Sequence, residues 1–296
     1  MAEQTSLIEQ YRDHLARVGK SPHTVKAYHR DLAAFASWWE QSIGQAFSSK
    51  AVDSRDIQEY RGYLLRQGRA PATINRRLIA LRRFFDWAER GGVMADSPFH
   101  ILETVLVKEQ DDTAPRWLDR KEQLALLRAV RNEGRPRDLA IIQILMGTGL
   151  RISELVALEL SDLEIFDRKG LLRVRAGKGS KARQIPLDNP TRQALGRYLE
   201  ERRDDASCRL FLGQRGPLNQ PGVNYLVTKY AYQARLEGCT CHTLRHTFAK
   251  NLVDAGTPLD QVAALLGHES LDTTKVYTRP SQQDLERAVR RAAGEL

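Results

Sequence analysis

The chain has 296 residues, 42% hydrophobic and 28% charged, which is enough for two domains with separate cores. No apolar run approaches the roughly 20 residues of a membrane span, and the start, MAEQTSLIEQYRDHL, lacks the basic and apolar segments of a signal peptide. Three cysteines, Cys208, Cys239 and Cys241, leave one unpaired in any disulfide scheme, so a reducing compartment, the cytoplasm, is expected. The net charge of +9 points to a polyanionic partner, and it is spread along the chain: Lys and Arg outnumber Asp and Glu by 16 to 12 up to residue 108 and by 30 to 25 after it.

Residues 1–108 read as four helices. Leu7, Ile8, Tyr11, Leu15 and Val18 form a stripe that Gly19 ends. Ser21-Pro22 opens a second helix through Val25, Tyr28, Leu32, Phe35, Trp38 and Trp39. Asp53 starts a third through Ile57, Tyr60 and Leu64, closed by Gly68, and Pro71 opens the fourth. In that helix Ile74, Leu78, Leu81, Phe85 and Ala88 step by four and three, so one side is core. Arg76 and Arg83, seven residues and about 10 Å apart, with Arg77 and Arg82 beside them, suit phosphates along a groove. The alternative is a solvated basic face, but Asp86 and Glu89 are the acidic neighbours this helix supplies, which favours DNA contact. Lys26 and Arg30 on the second helix are further candidates.

Residues 109–116, charged and ending near Pro115, read as a linker to a second domain at 117–296. There Asp119 caps a helix, and Pro136 opens an apolar one that must be buried on most sides. Gly147 and Gly149 force a turn ahead of Leu150-Arg151-Ile152-Ser153-Glu154-Leu155, so backbone holds Arg151 at the edge of the core. A buried arginine needs an anion, and Glu154 is the local candidate. Segments 163–166, 171–175 and 183–187 read as a small antiparallel sheet whose second turn, Ala176 to Lys181, lifts Lys178 between two glycines. Asn189-Pro190 starts a helix, 210–212 is an extended piece, and 220–236 is helical.

The stretch from Cys239 to Tyr277 is dense in chemistry. His242 and Arg245 share a helix face with His246 beside them, His268 lies just past the end of a second short helix, and Tyr277 follows in a polar segment. A short amphipathic helix at 281–293 closes the chain.

Taken together, TGLRISEL at 148–155, GKGSK at 177–181, HTLRH at 242–246, LLGH at 265–268 and Tyr277 resemble the tyrosine recombinase (phage integrase) family over nearly the whole chain. With no arm-binding domain ahead of residue 1, the chain looks most like its Xer-type site-specific recombinases. The resemblance implies a mainly α fold: a four-helix core-binding domain, then a mostly helical catalytic domain with a small antiparallel β-sheet. It also implies roles. Tyr277 attacks the scissile phosphate to give a 3′-phosphotyrosine, and Arg151 and Arg245 clamp its non-bridging oxygens. His242 serves as acid or base near the tyrosine, His268 donates to the phosphate, and Lys178 protonates the departing 5′-oxygen. Neither a cofactor nor a metal is implied, because one ester replaces another. The implied partners are double-stranded DNA and three further protomers, identical or of a related recombinase, with the 281–293 helix docked on a neighbour. Chromosome-dimer resolution and mobile-element integration both fit. A zinc site from Cys239, Cys241, His242, His246 and His268 is a rival, but the ligand pairs are not separated as in a finger and Arg245 intrudes. A catalytically silent DNA-binding regulator and a type IB topoisomerase are the others.

Overall fold

Caps and prolines set the helices of the first unit. The computed structural model describes residues 2–100, 107, 115–176, 182–202, 207–267, 272–278, 289–290 and 292–293, and divides into two units, Met1–Asp111 and Asp112–Leu296. In the first, α1 (Ala2–Arg17) stops ahead of Gly19 at φ 74, so Val18 lies outside the helix and is 54% exposed instead of joining the expected stripe. Helix α2 (Pro22–Ile43) is capped by Ser21, whose hydroxyl accepts the Thr24 N–H at 3.0 Å. Asp53 and Asp56 form a capping box on α3 (Ser54–Arg66), and α4 (Pro71–Arg90) begins on its proline. Ile74, Leu78, Leu81, Phe85 and Ala88 of α4 are all buried, and the first four meet Tyr11, Phe35, Ile57 and Tyr60 in one aromatic-rich core.

The second unit is built on α6 (Pro136–Thr148), which follows α5 (Arg120–Glu133). Ala140, Ile141, Ile142, Ile144 and Leu145 of α6 are all at 0% exposure, so the apolar run is buried because it is the centre of the unit. After the short α7 (Ile152–Ala157) come β1 (Leu163–Ile165), β2 (Gly170–Val174) and β3 (Arg183–Pro186), antiparallel in the order β1-β2-β3, with Leu172 opposite Ile185 and Val174 opposite Arg183. Helix α8 (Asn189–Glu201) packs on α6. The extended piece expected at 210–212 meets the structure at Leu212 alone, where a small hairpin, β4 (Leu212–Gly213) with β5 (Gly216–Pro217), begins. Gly216 at φ 109 allows so tight a return.

Helix α9 (Gln220–Gln233) leads into α10 (Cys241–Asp254), α11 (Leu259–Leu266), α12 (Asp272–Lys275) and a 3-10 turn at Val276–Thr278. Among the described residues the fold is mainly α with a small antiparallel sheet of three strands, as the sequence leads one to expect, and the β4–β5 hairpin besides. Among the described residues, no helix is long and apolar enough to cross a membrane. Lys178, His268 and most of the helix expected at 281–293 lie outside the described residues.

Candidate active site

The site starts at the turn that ends α6. Gly149 closes that helix in the left-handed region at φ 61, and a methyl there would run into the Phe248 ring and lie 3.0 Å from Leu266 Cδ2. No larger residue fits, by conformation or by space. The turn delivers Arg151 to the N-cap of α7, where its N–H donates to Glu154 Oε2 at 2.9 Å and its Nη1 to Glu154 Oε1 at 3.0 Å. Its Nη2 points towards the carbonyl of Gly267, 3.4 Å away. About a third of the side chain stays exposed (32%), so Arg151 sits at the wall of the core with one edge open.

Glu154 is not Arg151's alone. Arg183, the first residue of β3, grips the same carboxylate with both terminal nitrogens, at 3.0 and 2.8 Å, and donates from Nε to the Leu265 carbonyl at 2.7 Å. Burial by itself would raise the pKa of Glu154, but the bonds from Arg183 and Arg151 outweigh it and hold the carboxyl below its usual range.

Helix α10 supplies the second arginine. Thr240 caps it, accepting from Thr243 N–H at 3.2 Å, and Leu244, Thr247, Phe248 and Ala249 bury its inner face. Arg245 points the same way and is only 3% exposed. Its Nη1 donates to the Gly149 carbonyl at 2.6 Å and its Nη2 to the Leu266 carbonyl at 2.8 Å. These two carbonyls accept from it without cancelling its charge. Burial, and next the positive charge of Arg151, bring its pKa down to about 10, so it remains a cation at neutral pH. Among the described residues, Arg151, Arg183 and Arg245 surround one carboxylate, Glu154, and the pocket carries excess positive charge.

Tyr277 enters from the 3-10 turn, 2% exposed, in a small apolar cluster with Phe248, Ala249, Val262 and Leu266. Its hydroxyl lies 2.9 Å from His246 Nδ1. Burial raises the phenol's pKa, while Arg245 and then Arg151 pull it back, which places both guanidinium groups within electrostatic reach. Burial, then the neighbouring His242 and Arg245, push the His246 imidazole down to about 4. It is therefore neutral at pH 7, and its Nδ1 can accept the phenolic hydrogen. His242, exposed, stacks on His246 with ring centroids 5.7 Å apart.

The structure thus brings Arg151, Arg245, Tyr277 and the His242–His246 pair together, while Lys178 and His268 lie outside the described residues. The histidine touching the phenol is His246, whereas the sequence reading gave that place to His242. The signal was available: His246 is four residues after His242, one turn further along the same face. Arg183 was also passed over. It shares the inward side of β3 with Ile185, and a charged residue in an inward register was the clue.

In the first unit Arg76 and Arg77 have a partner that the sequence of α4 did not disclose. Asp31, 1% exposed on α2, pairs with Arg76 and lies 3.8 Å from Arg77 Nε, while Arg77 Nη1 donates to Tyr60 Oη at 3.3 Å. For these two, acidic residues are scarce along α4 itself but the carboxylate comes from another helix. Arg83 is exposed and donates to Tyr28 Oη at 2.7 Å, Arg82 lies over the Phe99 ring, and Lys26 and Arg30 are exposed. Cys239 and Cys241 are buried thiols, each pushed up to about 11 by burial, and among the described residues no three His, Cys, Asp or Glu side chains are grouped to hold a metal ion.

Comparison with known proteins agrees with this architecture. Residues 116–284 match the phage integrase family, and residues 8–92 match the phage integrase N-terminal SAM-like domain. The tyrosine recombinase XerC of Pelobacter propionicus is 34% identical, covering 88% of this chain and 86% of the relative. The tyrosine recombinase XerD of Xanthomonas campestris pv. campestris is also 34% identical, over 96% of this chain and 91% of its own. Among solved structures, the XerH site-specific recombinase bound to a palindromic difH substrate superposes with a TM-score of 0.75 at 25% identity, covering 90% of this chain and 79% of that one. The Tn1549 transposon integrase in complex with a circular intermediate DNA shares the fold at a TM-score of 0.76 and 21% identity, covering 97% and 99%. With the family matched across more than half of its length and both units accounted for, this chain belongs to the phage integrase family of tyrosine recombinases.

Proposed function

We propose that this protein is a site-specific DNA recombinase that cuts and rejoins strands through a 3′-phosphotyrosine on Tyr277. One observation carries the reading: a buried arginine, Arg245, bonded among the described residues to two backbone carbonyls, stands with Arg151 around a buried phenol. Cationic charge withdrawn from water without an anion is costly, and a phosphodiester supplies the anion. The two guanidinium groups suit its non-bridging oxygens, where charge grows in the pentacoordinate transition state.

In the step itself a bond forms between Tyr277 Oη and phosphorus as the bond from phosphorus to the 5′-oxygen breaks. The phenolic proton passes to His246, whose low pKa rises once an anionic phosphate occupies the pocket. Lys178 gives a proton to the 5′-oxygen, and His242 and His268 donate to phosphate oxygens. The 5′-hydroxyl of another strand then reverses the reaction, which conserves the ester and needs neither a nucleotide nor a metal. On DNA the active form is a tetramer, of this chain alone or with a related recombinase, and the helix at 281–293 docks on a neighbour. The XerC and XerD relatives favour chromosome-dimer resolution in the cytoplasm as the setting.

The test is covalent capture on a nicked suicide duplex made from DNA that the protein itself retains. Wild type should become trapped, and Tyr277→Phe should bind with similar affinity and form no adduct. A trapped Tyr277→Phe protein would remove the tyrosine from the mechanism. Sequencing the captured DNA separates a chromosomal site from the ends of a mobile element.

A further inference from the structure

We infer that Arg183 is a positioning residue for strand cleavage, and that it acts by occupying Glu154 so that Arg151 keeps its charge and its open edge for the phosphate. The inference rests on the proposed role of Arg151. Its basis is how Glu154 is shared. A carboxylate has about four acceptor sites, and here they meet four donors: Arg183 Nη1 at 3.0 Å, Arg183 Nη2 at 2.8 Å, Arg151 Nη1 at 3.0 Å and the Arg151 N–H at 2.9 Å. The two-pronged grip belongs to Arg183, whose side chain is 7% exposed, whereas Arg151 holds the carboxylate by one side-chain bond and is 32% exposed.

Planar guanidinium and carboxylate groups prefer the forked arrangement. Without Arg183, both oxygens of Glu154 become available to Arg151. The pair would close on itself, and a phosphate would then compete with a carboxylate already in the pocket. Arg183 prevents this and keeps the surroundings cationic. It is also fixed independently of Glu154, through the bond from Nε to the Leu265 carbonyl in the last turn of α11. The fit is close there: a side chain at Gly267, which already needs φ 66, would put Cβ 2.8 Å from Arg183 Nη1. One buried side chain thus joins the start of β3, the first turn of α7 and the end of α11.

A brace and a charge-setting residue are told apart by a second substitution. On the full chain, single-turnover adduct formation with the suicide duplex should be about 100-fold slower in Arg183→Met, with DNA affinity within about threefold of wild type. Adding Glu154→Gln should speed that variant about tenfold, since a neutral amide no longer captures Arg151. A mere brace predicts that the double variant is no faster than Arg183→Met, and that result would overturn the inference. If Arg183→Met does not fold by circular dichroism, Arg183→Lys takes its place. It should cleave slowly, gain from Glu154→Gln in the same way, and refute the idea if it gains nothing. Arg151→Ala and Tyr277→Phe run alongside. Adducts from either would fail the active-site reading itself, whereas two inactive controls beside an Arg183→Met protein at wild-type rate would fail the role of Arg183 alone.

Discussion

The turn at Gly149 offers a direct test of how backbone holds the site. Gly149→Ala places a β-carbon at φ 61, which costs roughly 1–2 kcal/mol for an L residue. The new methyl also overlaps the Phe248 ring and lies 3.0 Å from Leu266 Cδ2. Both neighbours belong to a packed cluster with Ala249, Val262 and Tyr277, so relief requires their movement, worth about 1–3 kcal/mol. A loss of about 2–5 kcal/mol is a large share of the stability of an ordinary domain. Gly196 in the interior of α8 is the control. Nothing lies within 4 Å of a β-carbon there, and alanine should stabilise that helix by about 0.5–1 kcal/mol. Urea unfolding followed by circular dichroism measures both. Because the Gly149 carbonyl receives Arg245, the variant should also form adduct more slowly under conditions where it remains folded. Gly149→Ala with wild-type stability, or stabilised as much as Gly196→Ala, would mean the turn is not constrained as described.

Four other outcomes are expected. His246 stays neutral in the folded chain down to about pH 4, while in the unfolded chain it takes up a proton near pH 6.5. The unfolded state therefore binds more protons between those values, and up to ~3 kcal/mol of stability should be lost as pH falls from about 6.5 to 4. His246→Gln should lose that part of the acid slope, and an unchanged slope would show that the imidazole is not held neutral. In the first unit, Arg76→Ala should cost about 1–2 kcal/mol by leaving the buried Asp31 with the longer contact to Arg77 in place of its close partner. Arg83→Ala should leave stability within about 0.5 kcal/mol and lower the slope of log affinity against log salt by about one; an unchanged slope would remove Arg83 from the phosphates. Lys178→Ala should cleave slowly on ordinary DNA and recover on a 5′-bridging phosphorothioate, whose leaving group needs no proton. A variant that is slow on both substrates would end the leaving-group assignment.

Much of this molecule was legible in one dimension because its signals are local. Ser21, Asp53, Asp119 and Thr240 cap helices within three residues of themselves, and the spacing of Ile74, Leu78, Leu81 and Phe85 declares a buried face without reference to what covers it. The three-strand sheet follows from alternation and turn residues, and α6 from an apolar run too long to leave exposed. The likeness to a known family, carried by Arg151, Lys178, His242, Arg245, His268 and Tyr277, added the chemistry that spacing by itself would not have yielded.

Partners far apart in the chain required the folded structure. Asp31 reaches Arg76 across 45 positions, Arg183 reaches Glu154 across 29, and Tyr277 reaches His246 across 31. Caps and periodicities depend on neighbours a few residues away and can be read along the chain. Which carboxylate neutralises which arginine, and which of two histidines one turn apart meets the phenol, depends on how whole helices pack, and that is decided only when the cores close.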